Sequence, residues 1–190
     1  MKLLSQRPVL IGLVLAALMA ATRMHHFGSA LHLPDASLAV FLLAGFFIAS
    51  PLLFVGLLLE AGALDYVAIT YLGVSDWCVT PAYWFLIPTY AVLWFAGRYY
   101  ARIHQHSLRS LGVFAGLSVA ALSVAFFISN GAFYWFSGRY TDTNMAEYFA
   151  RVAQYYVPYL TGGLLYLACA AALYAVLTAR GHVAAKTAGE

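Results

Sequence analysis

Long apolar runs separated by short polar segments dominate this chain. Six such runs can be marked, and each contains few charged residues, at 7–24, 36–49, 51–73, 81–102, 110–129 and 147–179. One helical membrane crossing needs about 20 mostly apolar residues. The pattern therefore predicts an all-α integral membrane protein, with six transmembrane helices in a single domain over residues 1–190.

The apolar stretch that begins at Ser37 is too long for one crossing, because it continues to Gly73. It is interrupted at Ser50-Pro51, where serine can cap a helix and proline suits the first helical position. We therefore divide it there into a short second helix and a long third one. A break at Glu60 would leave the topology unchanged.

The composition strengthens the membrane assignment. Hydrophobic residues make up 64% of the chain and charged residues 9%, whereas soluble domains have about 25% charged residues. A water-soluble fold is excluded. The sequence has neither a phosphate-binding G-x-x-x-x-G-K-[ST] loop nor a G-x-G-x-x-G turn after a strand. Energy for any transport must therefore come from elsewhere, and the net charge of +3 does not indicate a nucleic-acid partner.

The positions of the basic residues predict the orientation of the helices. With the amino end inside, three arginines fall outside, Arg23, Arg139 and Arg151. The other basic residues then lie inside, namely Lys2, Arg7, Arg98, Arg102, Arg109, Arg180 and Lys186. This excess follows the positive-inside rule, so both termini are predicted to be cytoplasmic. The first, third and fifth loops then share the outer face, where we expect the functional site.

The first helix resembles a cleaved signal peptide at its start, where Lys2 and Arg7 precede an apolar stretch. We reject that interpretation, because Gly12, Ala16 and Ala20 form a stripe of small residues at four-residue spacing. Such a stripe lets another helix approach closely. An abundance of alanine alone would also produce it.

Cys78 is the main candidate for chemistry in the outer loops. It lies in Ser75-Asp76-Trp77-Cys78-Val79-Thr80-Pro81, at the start of the fourth helix. A thiolate is a soft, strong ligand for a transition metal, although a loop cysteine can also be an inert packed side chain. The second cysteine, Cys169, lies inside an apolar run, so we do not expect a disulfide.

Three histidines of the first outer loop, His25, His26 and His32, could meet Cys78 across the outer end. Alternatively, each is a polar residue at the level of the lipid headgroups. The remaining three histidines also lie outside the helix centres, at 104, 106 and 182. That distribution argues against a membrane haem with two axial imidazoles.

Asp65 lies about two turns inside the outer end of the third helix. An ionised carboxylate inside a membrane costs about 2.5–3.5 kcal/mol on insertion scales, so Asp65 needs a partner or a wet cavity. Arg151 is a candidate charge partner or a headgroup anchor, and a helix-to-helix hydrogen bond is the alternative for Asp65.

Aromatic residues also cluster near the outer ends of the helices. They form either an interfacial belt or the walls of a pocket for a large, flat ligand. The members of this cluster are Trp77, Tyr83, Trp84, Phe133, Tyr134, Trp135, Phe136, Tyr155 and Tyr156.

Over its full length the chain resembles the BtuM family of small bacterial cobalamin transporters, which are similar to the S-components of energy-coupling factor transporters. The resemblance is strongest at His25-His26-Phe27, Leu64-Asp65-Tyr66 and 73–83. It implies a six-helix S-component bundle in the bacterial cytoplasmic membrane, with an outward-facing cobalamin pocket. Cys78 would be the axial ligand of cobalt, and the family's other motif positions fall on His26, Asp65, Tyr83 and Arg151.

The resemblance also implies a coupling subunit with ATPases, docked on the Gly12, Ala16 and Ala20 face. Sulfur donation from Cys78 would weaken the opposite axial bond, so that bound cyanocobalamin loses cyanide. Two other functions remain open from the residues themselves. One is a permease for bare cobalt or nickel ions that uses His25, His26, His32 and Cys78. The other is a membrane thiol oxidoreductase, which lacks a nearby resolving cysteine.

Overall fold

A computed structural model describes residues 2–23 and 33–187 of the chain, and the side chains of 8–23 and 33–179. Within those ranges the protein is all-helical and contains no strand. The α-helices are α1 Lys2–Arg23, α2 Ser37–Phe47, α3 Pro51–Tyr71, α4 Leu86–Ile103, α5 Leu108–Phe136 and α6 Met145–Thr187. Two short 3-10 turns, Asp76–Cys78 and Pro81–Phe85, lie between α3 and α4. The prediction of six helices is confirmed.

The predicted division of the second apolar stretch is also confirmed. Ser50 is the N-cap of α3, its hydroxyl accepts a hydrogen bond from the backbone N–H of Leu53 at 3.4 Å, and Pro51 is the first helical residue. The residues between α2 and α3 turn sharply, because Ala49 has a φ of 53°. Local chemistry at this point therefore decides where one helix ends and the next begins.

Helix α5 is longer than the sequence predicts. It continues to Phe136, beyond the predicted run 110–129, so the aromatic residues 133–136 are helical and the connection to α6 is only 137–144. Tertiary contacts hold these extra turns. The ring of Phe136 stacks on that of Phe85 at 5.4 Å, and the buried Tyr134 accepts a hydrogen bond from the Asn144 N–H at 2.8 Å.

Helix α2 lies at the centre of the bundle and packs on α1, α3, α4 and α6. Two glycines allow α2 and α4 to cross at very close range. A Cβ atom at Gly45 would collide with the backbone of Trp94, and one at Gly97 with the carbonyl oxygen of Leu42. The backbones touch where a side chain would otherwise separate them.

Three helical segments are long and apolar enough to cross a membrane: Pro51–Tyr71, Leu108–Phe136 and Met145–Ala179. Two shorter apolar segments accompany them, Pro8–Arg23 and Ser37–Phe47. Large aliphatic side chains also point outward, as at Leu52 and Leu59 of α3, which are 82% and 70% exposed. Apolar surfaces of this extent are typical of helices that face lipid, so the chain has the character of an integral membrane protein.

The stripe of small residues on α1 is partly buried in the bundle. Gly12 is buried, and a Cβ there would lie 3.6 Å from the side chains of Ile48 and Leu53. Ala16 packs against the hydrophobic core, whereas Leu10 and Val14 on the other side of α1 are exposed. The predicted close helix approach therefore occurs within the chain, and Gly12 is not part of an exposed face.

Candidate functional site

Two adjacent cavities lie at the end of the bundle that carries the first, third and fifth loops. The first cavity, of about 310 Å³, is lined mainly by the end of α5 and the beginning of α6. The second, of about 380 Å³, extends toward α1, α2 and α3. They share a wall made by Cys78, Tyr83, Leu86, Ser129 and Tyr159. The predicted clustering of the three loops is confirmed for the part of the chain that the structure describes.

Local structure presents Cys78 to both cavities. After α3 ends, Gly73 adopts a φ of +69°, a conformation that suits glycine, and the chain turns. Ser75 then caps the turn Asp76–Cys78 by accepting a hydrogen bond from the N–H of Trp77 at 3.2 Å. Cys78 is an exposed free thiol at the end of that turn.

The electrostatic surroundings of Cys78 favour the protonated thiol. Burial of the sulfur raises its pKa, the Asp65 carboxylate raises it further, and the Arg139 guanidinium lowers it. Arg139 reaches this turn from the α5–α6 connection, where it lies 4.5 Å from the ring centre of Trp77. A metal that binds this sulfur must therefore displace its proton.

Arg23 organises the second cavity through a network of short hydrogen bonds. Its guanidinium binds both carboxylate oxygens of Asp65 at 2.7 Å and one of Asp35 at 3.2 Å. It also donates to the hydroxyls of Ser37 at 2.9 Å and Tyr90 at 2.8 Å. Arg23 is buried, so this end of α1 is joined to α2, α3 and α4 by one side chain.

The charge partner of Asp65 is therefore Arg23, and the expected pairing with Arg151 is wrong. The Tyr83 hydroxyl also donates to Asp65, at 2.6 Å. One guanidinium thus contacts two carboxylates in this network. From the sequence, Arg23 is only one of three basic residues on the outer side. A signal was available, since two acids near helix ends, Asp35 and Asp65, required a cation.

Arg151 lies in the first cavity, apart from that network. Its guanidinium carbon is 4.5 Å from the ring centre of Tyr140, 5.3 Å from that of Tyr155 and 5.9 Å from that of Tyr134. Its Nε atom is buried without a hydrogen-bond acceptor among the described residues. The charge is thus surrounded by aromatic faces at the edge of the cavity.

The structure brings together four of the five predicted binding residues. Cys78 and Tyr83 lie on the shared wall, Asp65 in the second cavity and Arg151 in the first. The fifth, His26, lies outside the described residues, as do His25 and His32.

The predicted aromatic cluster divides into two groups. Its cavity-lining members are Tyr83, Phe133 and Tyr155, and the others do not line either cavity: Trp77, Trp84, Tyr134, Trp135, Phe136 and Tyr156.

Within the described part of the chain, no group of three or more His, Cys, Asp or Glu side chains could hold a metal ion. Cys78 therefore offers a single sulfur donor there. Comparison of the sequence with models of known protein families and with curated proteins finds no match.

Proposed function

We propose that this chain is a membrane transporter that binds cobalamin at the outer end of the bundle, with the Cys78 sulfur as an axial ligand of cobalt. The observation that carries this proposal is the position of Cys78, an exposed free thiol on the wall between two cavities. The resemblance to BtuM transporters at 73–83 supports the same assignment.

A single sulfur donor suits a metal that is already held by a macrocycle. A structural zinc ion takes four protein ligands and a catalytic one three, whereas cobalt in a corrin ring already has four ring nitrogens and needs only axial ligands. The sulfur is soft and matches cobalt better than it matches magnesium or calcium. Rings such as Tyr83 and Tyr155, which line the first cavity, provide apolar walls for a large ligand.

The size of the ligand determines how it would sit. Cavities of about 310 and 380 Å³ are at the small end of the range for ligand pockets, and a corrinoid is larger than either one. The proposed complex therefore places the ring across the shared wall, with Cys78 below the cobalt. The other side chains of that wall must move apart as the ligand enters.

Loss of cyanide follows from this coordination. The Cys78 thiol gives up its proton, and its sulfur replaces the ligand's own base on the lower face of cobalt(III). The cobalt–cyanide bond on the opposite face then breaks heterolytically. Cyanide takes the proton and leaves as hydrogen cyanide, so that cobalt keeps its oxidation state and no reductant is needed. A thiolate donor trans to cyanide weakens that bond and favours this exchange.

The rest of the proposal concerns the membrane. The six helices form one bundle in the bacterial cytoplasmic membrane, both termini are cytoplasmic, and the two cavities open outward. An S-component-like chain receives energy from a coupling subunit with ATPases, for which α1 is the proposed docking helix. Ala16 and Ala20 are half-buried and remain accessible on that helix, whereas the buried Gly12 supports packing within the chain.

Visible spectroscopy tests the cobalt–sulfur bond. Mixing the purified protein with cyanocobalamin should shift the corrin absorption bands and release cyanide, and Cys78→Ala and Cys78→Ser should abolish both. Cys169→Ala is the matched control, because Cys169 is the other exposed free thiol and lies on α6 away from both cavities. A spectral shift that persists in either Cys78 variant would refute the ligand role.

The same purified protein separates the alternative functions. Protein prepared from cells fed cobalamin should carry a corrin chromophore. Bound cobalt or nickel without a chromophore would instead favour an ion permease. Neither metal nor chromophore, together with thiol-dependent redox activity, would favour an oxidoreductase.

A further inference from the structure

The first cavity contains a cation whose charge no carboxylate neutralises among the described residues. Arg151 forms no ion pair there, and its Nε is buried without an acceptor. The faces of Tyr140, Tyr155 and Tyr134 surround its guanidinium. Aromatic faces attract a cation. An N–H hydrogen bond to a ring face is, however, weaker than one to an anion.

The nearest carboxylate along α6 is engaged elsewhere. Glu147 lies one helical turn before Arg151, at a spacing that often forms an ion pair. Instead, its Oε2 accepts a hydrogen bond from the Tyr134 hydroxyl at 3.2 Å, and its backbone N–H donates to the Asn144 side chain at 2.9 Å. The guanidinium of Arg151 therefore keeps its hydrogen-bond donors for another acceptor.

The two cavities differ in charge on either side of Cys78. The first contains the positive charge of Arg151, which no carboxylate of the described residues neutralises. The second contains Arg23 together with the carboxylates of Asp35 and Asp65. An anionic group on a ligand held at the shared wall is therefore attracted to the first cavity.

We propose that the first cavity is an anion subsite, in which Arg151 binds the phosphodiester of the ligand's side chain while Cys78 holds the metal. This inference rests on the proposed function, because it concerns the same bound molecule. When sulfur takes the lower axial position of cobalt, the base that can occupy that position must leave it. The chain that carries the base also carries a phosphodiester, and a guanidinium binds such a group through two parallel hydrogen bonds.

Two corrinoids test this subsite with one protein. Cyanocobalamin carries the phosphodiester chain, and cobinamide lacks both that chain and its base. Arg151→Gln should weaken the binding of cyanocobalamin by about 10- to 100-fold, the loss expected for hydrogen bonds to a charged group. The affinity of the same variant for cobinamide should stay within about twofold of wild type, since cobinamide has no phosphodiester for Arg151 to bind. Affinities are measured by titration of the visible spectrum.

Two further variants show whether charge or folding causes the loss. Arg151→Lys should recover part of the affinity for cyanocobalamin, because it restores the positive charge. Arg139→Gln is the matched control. Arg139 is another arginine at the same end of the bundle, where it contacts Trp77 and lines neither cavity. Its substitution should therefore change the affinities for both corrinoids by the same factor.

The outcomes distinguish this inference from the proposed function. An equal loss for both corrinoids in Arg151→Gln, or no loss for either, would overturn the anion subsite and leave cobalamin binding intact. A wild-type protein that binds neither corrinoid would overturn the proposed function, and the subsite with it. Selective loss for cyanocobalamin supports the subsite.

Discussion

Replacing Arg23 by methionine removes the one side chain that joins α1 to three other helices at the outer end. Methionine keeps much of the volume and the unbranched shape of arginine, so the main loss is the guanidinium and its hydrogen bonds. Asp65 then loses the two short contacts at 2.7 Å, and Asp35 loses its ion pair at 3.2 Å. The Asp65 carboxylate is left without its guanidinium partner.

The structure sets the size of this effect. Removing one partner of a buried ion pair costs about 3–5 kcal/mol, because the remaining charge stays buried and unpaired. The side chains of Asp35 and Asp65 are 19% and 22% exposed, and both line the second cavity. Water can therefore reach them in part, so we expect about 3 kcal/mol, at the lower end of that range. For a chain of this length, this lowers the melting temperature by about 6–12 °C.

Thermal unfolding in detergent, followed by circular dichroism, measures the loss. A second variant, Arg23→Met with Asp65→Asn, should melt above Arg23→Met alone, because the orphaned charge is removed. Arg98→Met is the matched control on another helix, since Arg98 contacts the face of Trp94 at 4.7 Å and should lose only about 1 kcal/mol. The reasoning is refuted if Arg23→Met melts as wild type does, or if Asp65→Asn brings no recovery.

Two further predictions concern the bundle and the thiol. Gly97→Ala should prevent stable folding or lower the melting temperature strongly, because its Cβ would collide with the carbonyl oxygen of Leu42. Gly112→Ala on α5, where nothing lies within 4 Å, should be neutral, and equal melting of the two variants would contradict the close crossing. The rate of the cyanocobalamin spectral change should rise about tenfold per pH unit near neutrality, since only the thiolate attacks and burial raises the pKa of Cys78. A stopped-flow rate that does not change with pH would exclude Cys78 thiolate as the attacking group.

In the proposed transporter, the two cavities connect these predictions to ligand binding. A ligand that bridges them contacts Cys78 on the shared wall, Arg151 on one side and the Arg23 network on the other. These residues come from helices α1, α3 and α6, the turn after α3, and the starts of α2 and α4. Any movement that separates these helices changes both cavities together. A transporter that releases its ligand on the opposite side needs such a coupled site.

The sequence by itself determined the helices and the position of the candidate thiol. Runs of apolar residues define the helices because a membrane crossing depends on length and composition, and the Ser50-Pro51 break depends on caps that act within a few residues. Cys78 stood out because it follows a turn-forming segment between two apolar runs. All of these are local properties, which neighbouring residues decide.

Only the tertiary structure decided which charges meet. Arg23 and Asp65 are 42 residues apart, and the choice among Arg23, Arg139 and Arg151 as the partner of Asp65 depends on how α1, α3 and α6 pack. Packing also extends α5 to Phe136, where ring contacts with Phe85 stabilise turns that local propensity left undecided. Pairing in space follows from helix crossings, which no short stretch of sequence encodes.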